Sequence, residues 1–201
     1  MSSWDRQVWE WMDDSSGVPT KTIIKKYDEI KGNFFIGNYY GQEAIDNDDG
    51  SAYYNTHHNY FAYAGTGMKN DFNGHDNHHH DNLYGYIGGG MGVCGALPGH
   101  ADKFFGNKIV LLGSGKYANY DCKCNTTGTC PEMHDNQIYV AGAAFPPTCG
   151  QTLAQRQAQG IDIGSGAHAL PSDDVIIMWA RELLDLPASA SSSNPYSAGS
   201  Q

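Results

Sequence analysis

The stretch EAIDNDDGSAYY, Glu43 to Tyr54, carries four carboxylates (Glu43, Asp46, Asp48 and Asp49) in its first seven residues. Carboxylates at this density have three established uses. They bond the local backbone in a turn, because Asp and Asn side chains reach the amides just ahead. They hold a hard cation such as calcium, and Asp46, Asp48 and Asp49 are suitable oxygen ligands, although the distal Glu of an EF-hand is missing. Or they cleave a glycosidic bond, which takes one protonated carboxyl beside one ionised carboxylate.

The partner for such a pair comes from a second stretch, GMKNDFNGH. With Ile45 set against Met68, Asp46 falls opposite Lys69, Asn47 opposite Asn70 and Asp48 opposite Asp71. On neighbouring strands, alternation turns Ile45 and Met68 inward and Asp46, Lys69, Asp48 and Asp71 outward. Strands in one sheet lie about 4.8 Å apart, close to the roughly 5–5.5 Å between the carboxyls of a retaining glycosidase. Two carboxylates so near each other cannot both ionise freely, so one pKa rises while the other stays low. Asp48 and Asp71 are therefore the candidate acid–nucleophile pair, with Asp49 as reserve acid and Lys69 and His75 orienting substrate. Asp46, Glu43 and Tyr53 are candidate sugar contacts, and Asp162 in GIDIGS aligns with Asp46. The competing reading leaves the whole run as a solvated strand and turn.

The elements that position these residues follow from a repeat. Five segments share one form: GNFFIGNYYG, HNYFAYAGTG, DNLYGYIGGG, GNKIVLLGSG and DNQIYVAGAA. Each starts a short apolar strand at an Asn (Asn33, Asn59, Asn82, Asn107, Asn136), at spacings of 26, 23, 25 and 29 residues. A period in the twenties, with strands and no intervening helix, predicts a solenoid. The leucine framework of a leucine-rich repeat is absent, which leaves a parallel β-helix, right-handed by the rule for parallel crossovers. An Asn at the same bend of each coil can build a ladder, because its amide offers both donors and an acceptor. His57, His80 and His134 each stand two residues before one of these Asn, so they form a stacked column rather than a metal site. His75 and His78 lie outside that column.

The segment LPSDDVIIMWARELLDLP predicts a helix within 171–186. Ser172 is its N-cap, Asp173 and Asp174 lie at the positive end of its dipole, and Val175, Trp179 and Leu183 share one face. Its expected role is to cover the open edge of the last coil. The expected organisation is a single β-helix domain over 1–186. Residues 1–25 are an N-terminal cap or the remnant of earlier coils, and 187–201 form a flexible polar tail.

Composition narrows the function classes. The chain has 201 residues, a formal net charge of −10, and 25 Gly and 13 Tyr against only 17% charged residues. Such a mixture suits turn-rich β structure, and such a charge repels nucleic acid and anionic membrane. No run reaches the roughly 18 apolar residues of a membrane span, and the N-terminus lacks the apolar core of a signal peptide. Cys122, Cys124 and Cys130 surround the sequon Asn125-Thr126-Thr127, which predicts disulfides, a glycan on Asn125 and an extracellular, secreted location. Cys122 and Cys124 are too close in sequence to pair with each other. The C-x-C spacing also speaks against a zinc site formed with His134. No phosphate-binding loop is present and no cofactor or metal ligand set is expected, calcium at the acidic run aside.

Residues 25–186, above all GNFFIGNYYGQEAIDNDDGSAYYNTHHNYFAYAGTGMKNDFNGHDNHHHDN and LAQRQAQGIDIGSGAHALPSDDVIIMWARELL, resemble the right-handed parallel β-helix, pectin-lyase-like repeat proteins of algae and other microbial eukaryotes. These are similar to carbohydrate-active β-helix enzymes that carry an I-x-x-DDGS strand. The resemblance implies catalysis by the acidic strand of a parallel sheet, which would use Asp48, Asp49 and Asp71. A polysaccharide or glycan is the expected partner, cleaved by a glycoside hydrolase rather than a lyase, for which Lys69 would have to be the base. The alternative is a non-catalytic extracellular glycan-binding or self-assembling module, which stackable coils, an odd cysteine and a polar tail also suit.

Overall fold

The computed structural model describes residues 27–37, 42–72 and 74–187. The expected N-terminal cap over 1–25, and the tail beyond Pro187, lie outside the described residues. Every strand pairing is parallel, and each strand pairs with its counterpart one coil away. One sheet contains β1 (Asp28–Lys31), β4 (Tyr54–His57), β7 (His78–His80), β9 (Lys103–Phe105) and β11 (Glu132–His134). The second runs through β2 (Phe34–Ile36), β5 (Tyr60–Ala62), β8 (Leu83–Val93), β10 (Lys108–Asn119), β12 (Gln137–Val140) and β13 (Gly166–Ala169). A third face begins with β3 (Glu43–Asn47) and β6 (Thr66–Asn70) and continues into the C-terminal halves of β8 and β10. The result is an all-β parallel solenoid of about five coils.

Its core is built from in-register rows. Phe61, Tyr84, Ile109 and Ile138 are fully buried inside the second sheet, and Met68 and Met91 inside the third. Each such side chain contributes about 1.5–3 kcal/mol through loss of water contact. Their rings also stack: Phe35, Phe61 and Tyr84 follow one another at 5.0 and 5.1 Å.

Coil corners are set by backbone conformation and satisfied by amides. The residue before each repeating Asn has positive φ: Gly32, His58, Asp81, Gly106 and Asp135, with Gly164 at the next coil. After that sharp turn, the Oδ1 of each Asn accepts the backbone N–H of the Asn one coil earlier, at 3.0–3.1 Å from Asn33 N to Asn136 Oδ1. Its Nδ2 donates to the next Asn at 3.0–3.2 Å. Asn59, Asn82, Asn107 and Asn136 are buried, so these groups have no water to fall back on. In the final coil Ser165 takes the place, its Oγ accepting from Asn136 N at 3.0 Å. Two residues upstream, His57, His80, Phe105 and His134 stack at 4.7–4.9 Å between centroids, on the sheet face away from the core.

Among the described residues, three α-helices accompany the coils: α1 (Cys124–Thr127), α2 (Leu153–Gln157) and α3 (Asp173–Leu183). The expected C-terminal helix forms, but it does not sit over the edge of the last coil. Ile176 and Ala180 of α3 pack with Tyr60, Ala62, Leu83 and Val110 on the outer face of the second sheet, and Trp179 lies 4.8 Å from Tyr139. The reason is that this outer face is apolar, so it must be covered. Beyond β11 the coil interior is filled by Arg156 of α2, by Asp162, and by Ile161 and Phe145 against the core. Asp162 is fully buried at a bend with φ of 57°, so it is not the counterpart of Asp46. Cys122 is bonded to Cys149 and Cys124 to Cys130, which leaves Cys94 as the free thiol and rules out zinc at the other four.

Candidate active site

The expected register holds: Ile45 pairs with Met68, Asp46 with Lys69 and Asn47 with Asn70. Inward, Asn47 and Asn70 are buried and bonded at 2.9 Å, and Asn47 Nδ2 also donates to His79 Nε2 at 2.9 Å. Burial pushes the His79 imidazole down to about 3, so it stays neutral. Outward, Lys69 is the hub. Its Nζ stands 2.8 Å from Asp71 Oδ2, 3.2 Å from Asp46 Oδ2 and 3.9 Å from Glu43 Oε1.

Asp71 is only 3% exposed, a correction to the expectation that it lies open on the sheet surface. The end of β6 is held there by Asp71 N donating to Asn47 O, and Lys69 lies over the carboxyl. Asp48 is exposed; its Oδ1 accepts Asp49 N at 2.8 Å, and its carbonyl accepts Ser51 N. This is the backbone-bonding use of an Asp in a turn, and it coexists with a second interaction. The Asp48 and Asp71 carboxyls bear on each other's titration. Burial first, and the Asp48 carboxyl second, push Asp71 up to about 6 against the pull of Lys69, while the Asp71 carboxyl holds Asp48 below the usual carboxylate range. Among the described residues, Asp71 Oδ1 has no hydrogen-bond partner. The two carboxyls are thus pushed in opposite directions, Asp71 up and Asp48 down.

Beside Lys69 the third face opens into a groove of about 490 Å³. Its floor is shaped by Gly65, Gly88, Gly89, Gly92 and Gly115, and Glu43, Lys69 and Lys116 stand along it. Two of these glycines are needed for the coils to stack: a Cβ on Gly88 would meet Gly65 O at 2.6 Å, and one on Gly115 would clash with Gly88 O. The missing side chains leave room above the sheet.

Other expected contacts fall elsewhere. Tyr53 is 5% exposed with φ of 63°, and its ring packs edge-on against Tyr27 and His75. It offers no open face to a sugar. His75 is also buried, and its ring is engaged by Asp76, Tyr53 and His100 rather than by the Asp71 carboxyl. Asp49 occupies the turn after Asp48 with φ of 47°. Among the described residues, Asp46, Asp48 and Asp49 do not form a group that converges on a metal; Asp46 is bonded to Lys69 and Asp48 to its own turn. Asn125 is exposed on α1.

Sequence reasoning did not find three features. The groove was invisible because glycine carries no signal except through its neighbours. The Asp76 carboxyl is raised by burial, but bonds to His75 and His100 outweigh this and hold it down to about 2. The buried Asp102 is pushed up to about 7 by desolvation. Among the described residues, no helix is long and apolar enough to cross a membrane. Comparison with known proteins finds no matching family model, no matching curated protein and no matching solved structure.

Proposed function

We propose that the protein is a secreted, polysaccharide-cleaving glycoside hydrolase with a right-handed, pectin-lyase-like β-helix and an asparagine ladder. The observation that carries this reading is the Asp48–Asp71 pair, whose carboxyls are pushed in opposite directions. Asp71 is the acid: its proton passes to the glycosidic oxygen as the bond to the anomeric carbon breaks. Asp48 is the nucleophile: its ionised oxygen bonds that carbon, and water later releases the sugar with Asp71 as base. The spacing of about 4.8 Å between neighbouring strands lies nearer the roughly 5–5.5 Å of a retaining pair than the roughly 6.5–9.5 Å of an inverting one, which favours retention over inversion. Lys69 holds the Asp71 carboxyl and presents a cation to sugar hydroxyls. The groove beside Lys69, lined by Glu43, Thr66, Lys69, Lys116 and Asn119, offers polar groups to a neutral glycan chain. Two disulfides and an exposed sequon at Asn125 support a secreted, glycosylated protein.

The test is hydrolysis of a polysaccharide panel by the parent protein and by Asp48→Asn and Asp71→Asn, with the anomer of the first product read by NMR. Retained configuration, with loss of turnover in both variants, is the expected result. Full activity in either variant refutes the assignment.

One observation favours the alternative of a non-catalytic assembly module. Phe34, Phe35 and Ile36 of β2 are 52%, 42% and 64% exposed, and among the described residues β2 is the outermost strand of its sheet. A parent protein inert on the panel that forms filaments in solution would select this reading.

A further inference from the structure

Outside the carboxylate pair, a second group of side chains converges on one point. His75 Nδ1 lies 2.9 Å from Asp76 Oδ2, and His100 Nδ1, one coil further on, lies 2.8 Å from the same oxygen. All three ligand atoms lie within 4.8 Å of one another, the one such group among the described residues. We infer that His75, Asp76 and His100 form a binding site for a divalent transition-metal ion of the zinc type.

Consecutive residues on a strand point to opposite faces, so His75 and Asp76 should diverge. They converge because Asp76 takes a left-handed conformation, φ 53°, directly after the bridge that pairs His75 with Ala52. The same device recurs at other corners: His80 bonds Asp81 at 2.8 Å and His134 bonds Asp135 at 2.7 Å, each Asp again with positive φ. A His–Asp pair is therefore part of the coil architecture and is not itself a site. What sets this corner apart is the second imidazole. His100 comes from the turn that follows Leu97, where His100 N bonds Leu97 O at 3.2 Å, and the corner geometry does not require it to reach Asp76. Depth differs too: His75 is 4% exposed, while the rings of His80 and His134 lie further out.

Two imidazoles and one carboxylate are a donor set for zinc and its neighbours in the first transition row, and not for calcium or magnesium. Three protein ligands leave a fourth position for water or another ligand. Tetrahedral zinc with bonds of about 2.0–2.1 Å spaces its ligand atoms roughly 3.3 Å apart. The two short contacts must therefore widen slightly. His100 can supply that movement, because its side chain is 46% exposed.

The experiment uses the full chain, stripped with a chelator and dialysed. Zinc is titrated by calorimetry, and cobalt(II) by visible absorption, which reports tetrahedral coordination. Saturable, equimolar binding is expected for the parent. His100→Ala removes an exposed ligand, and Asp76→Asn keeps a residue that tolerates positive φ, so both should fold, with circular dichroism as the check. Each should weaken binding by more than the roughly 10–100-fold lost with an outer-shell partner alone. His134→Ala, in the ring column, should bind as the parent does. Absence of saturable binding, or affinity unchanged in His100→Ala, overturns the proposal; affinity lost only in His134→Ala moves the site to the column and overturns it as well.

Discussion

Asp102 accepts the backbone N–H of Asn77 through Oδ1 at 2.9 Å, the role that Asn side chains fill at the other coil corners. Asn77 does the same for Tyr54 N at 3.1 Å. Asp102 is an Asp where an Asn would serve, 3% exposed, with burial pushing its carboxyl up to about 7.

That difference gives the fold a pH dependence with a definite sign. An unfolded Asp titrates near 3.9, so between that value and about 7 the folded chain holds a proton that the unfolded chain has lost. The resulting stabilisation is complete below the unfolded value and disappears as pH rises to about 7, a difference of roughly 4 kcal/mol. Asp102→Asn keeps the Oδ1 acceptor and cannot ionise. Urea denaturation at several pH values should show the parent losing stability relative to Asp102→Asn between pH ~4 and ~7. A constant gap between the two would refute the buried, protonated carboxyl.

Asp71 should impose the alkaline limit on any hydrolase activity. Its acid form is lost as pH rises through about 6, so turnover should fall above that value. Asp71→Asn should lower turnover by about 10²–10⁴-fold, the usual contribution of a general acid. A pH–rate profile that stays flat above neutrality would remove Asp71 from that role.

Asn107 sits in the middle of the amide row, fully buried. It accepts from Asn82 N and donates to both His79 O and Asn136 Oδ1. Asn107→Ala leaves several buried groups unpaired, at about 1–3 kcal/mol each. Asn33→Ala, at the exposed end of the row, should cost less than about 1 kcal/mol, since water replaces what is lost. Chemical denaturation of the two variants checks this gradient; equal losses would mean that the row adds nothing beyond its local turns.

Arg156 and Asp162 form a fully buried ion pair at 2.5 Å. Arg156 also donates to Tyr120 Oη at 2.7 Å, and Asp162 Oδ1 accepts from Tyr117 Oη at 2.8 Å. Arg156→Ala strands a carboxylate in the coil interior and should cost about 3–5 kcal/mol. Replacing both partners by apolar residues should restore part of that loss. Thermal melts of the single and double variants decide the matter, and additive losses would show that the pair is not coupled.

How much of this was legible in the sequence follows from what repeats. The Asn period, the pairing of Ile45 with Met68, the ring column through His57, His80 and His134 and the separate pairing of Cys122 and Cys124 could be read directly. Parallel coils place residues one period apart against each other, and backbone hydrogen bonding enforces that register. The Thr152–Gln155 capping box of α2 was legible in the same local way and went unread. Tertiary structure alone decided whatever depends on parts that do not repeat. The turn over 94–101 brings His100 to Asp76. Lys69 folds over Asp71 and covers a carboxylate that the alternation places on the surface, and Tyr53 turns inward at a corner with positive φ. The C-terminal helix lies on the outer sheet face, because Leu83 and Val110 present apolar surface there. A period fixes which backbones are neighbours, but whether a side chain is wet, paired or protonated is set by non-repeating segments packed against it from elsewhere in the chain.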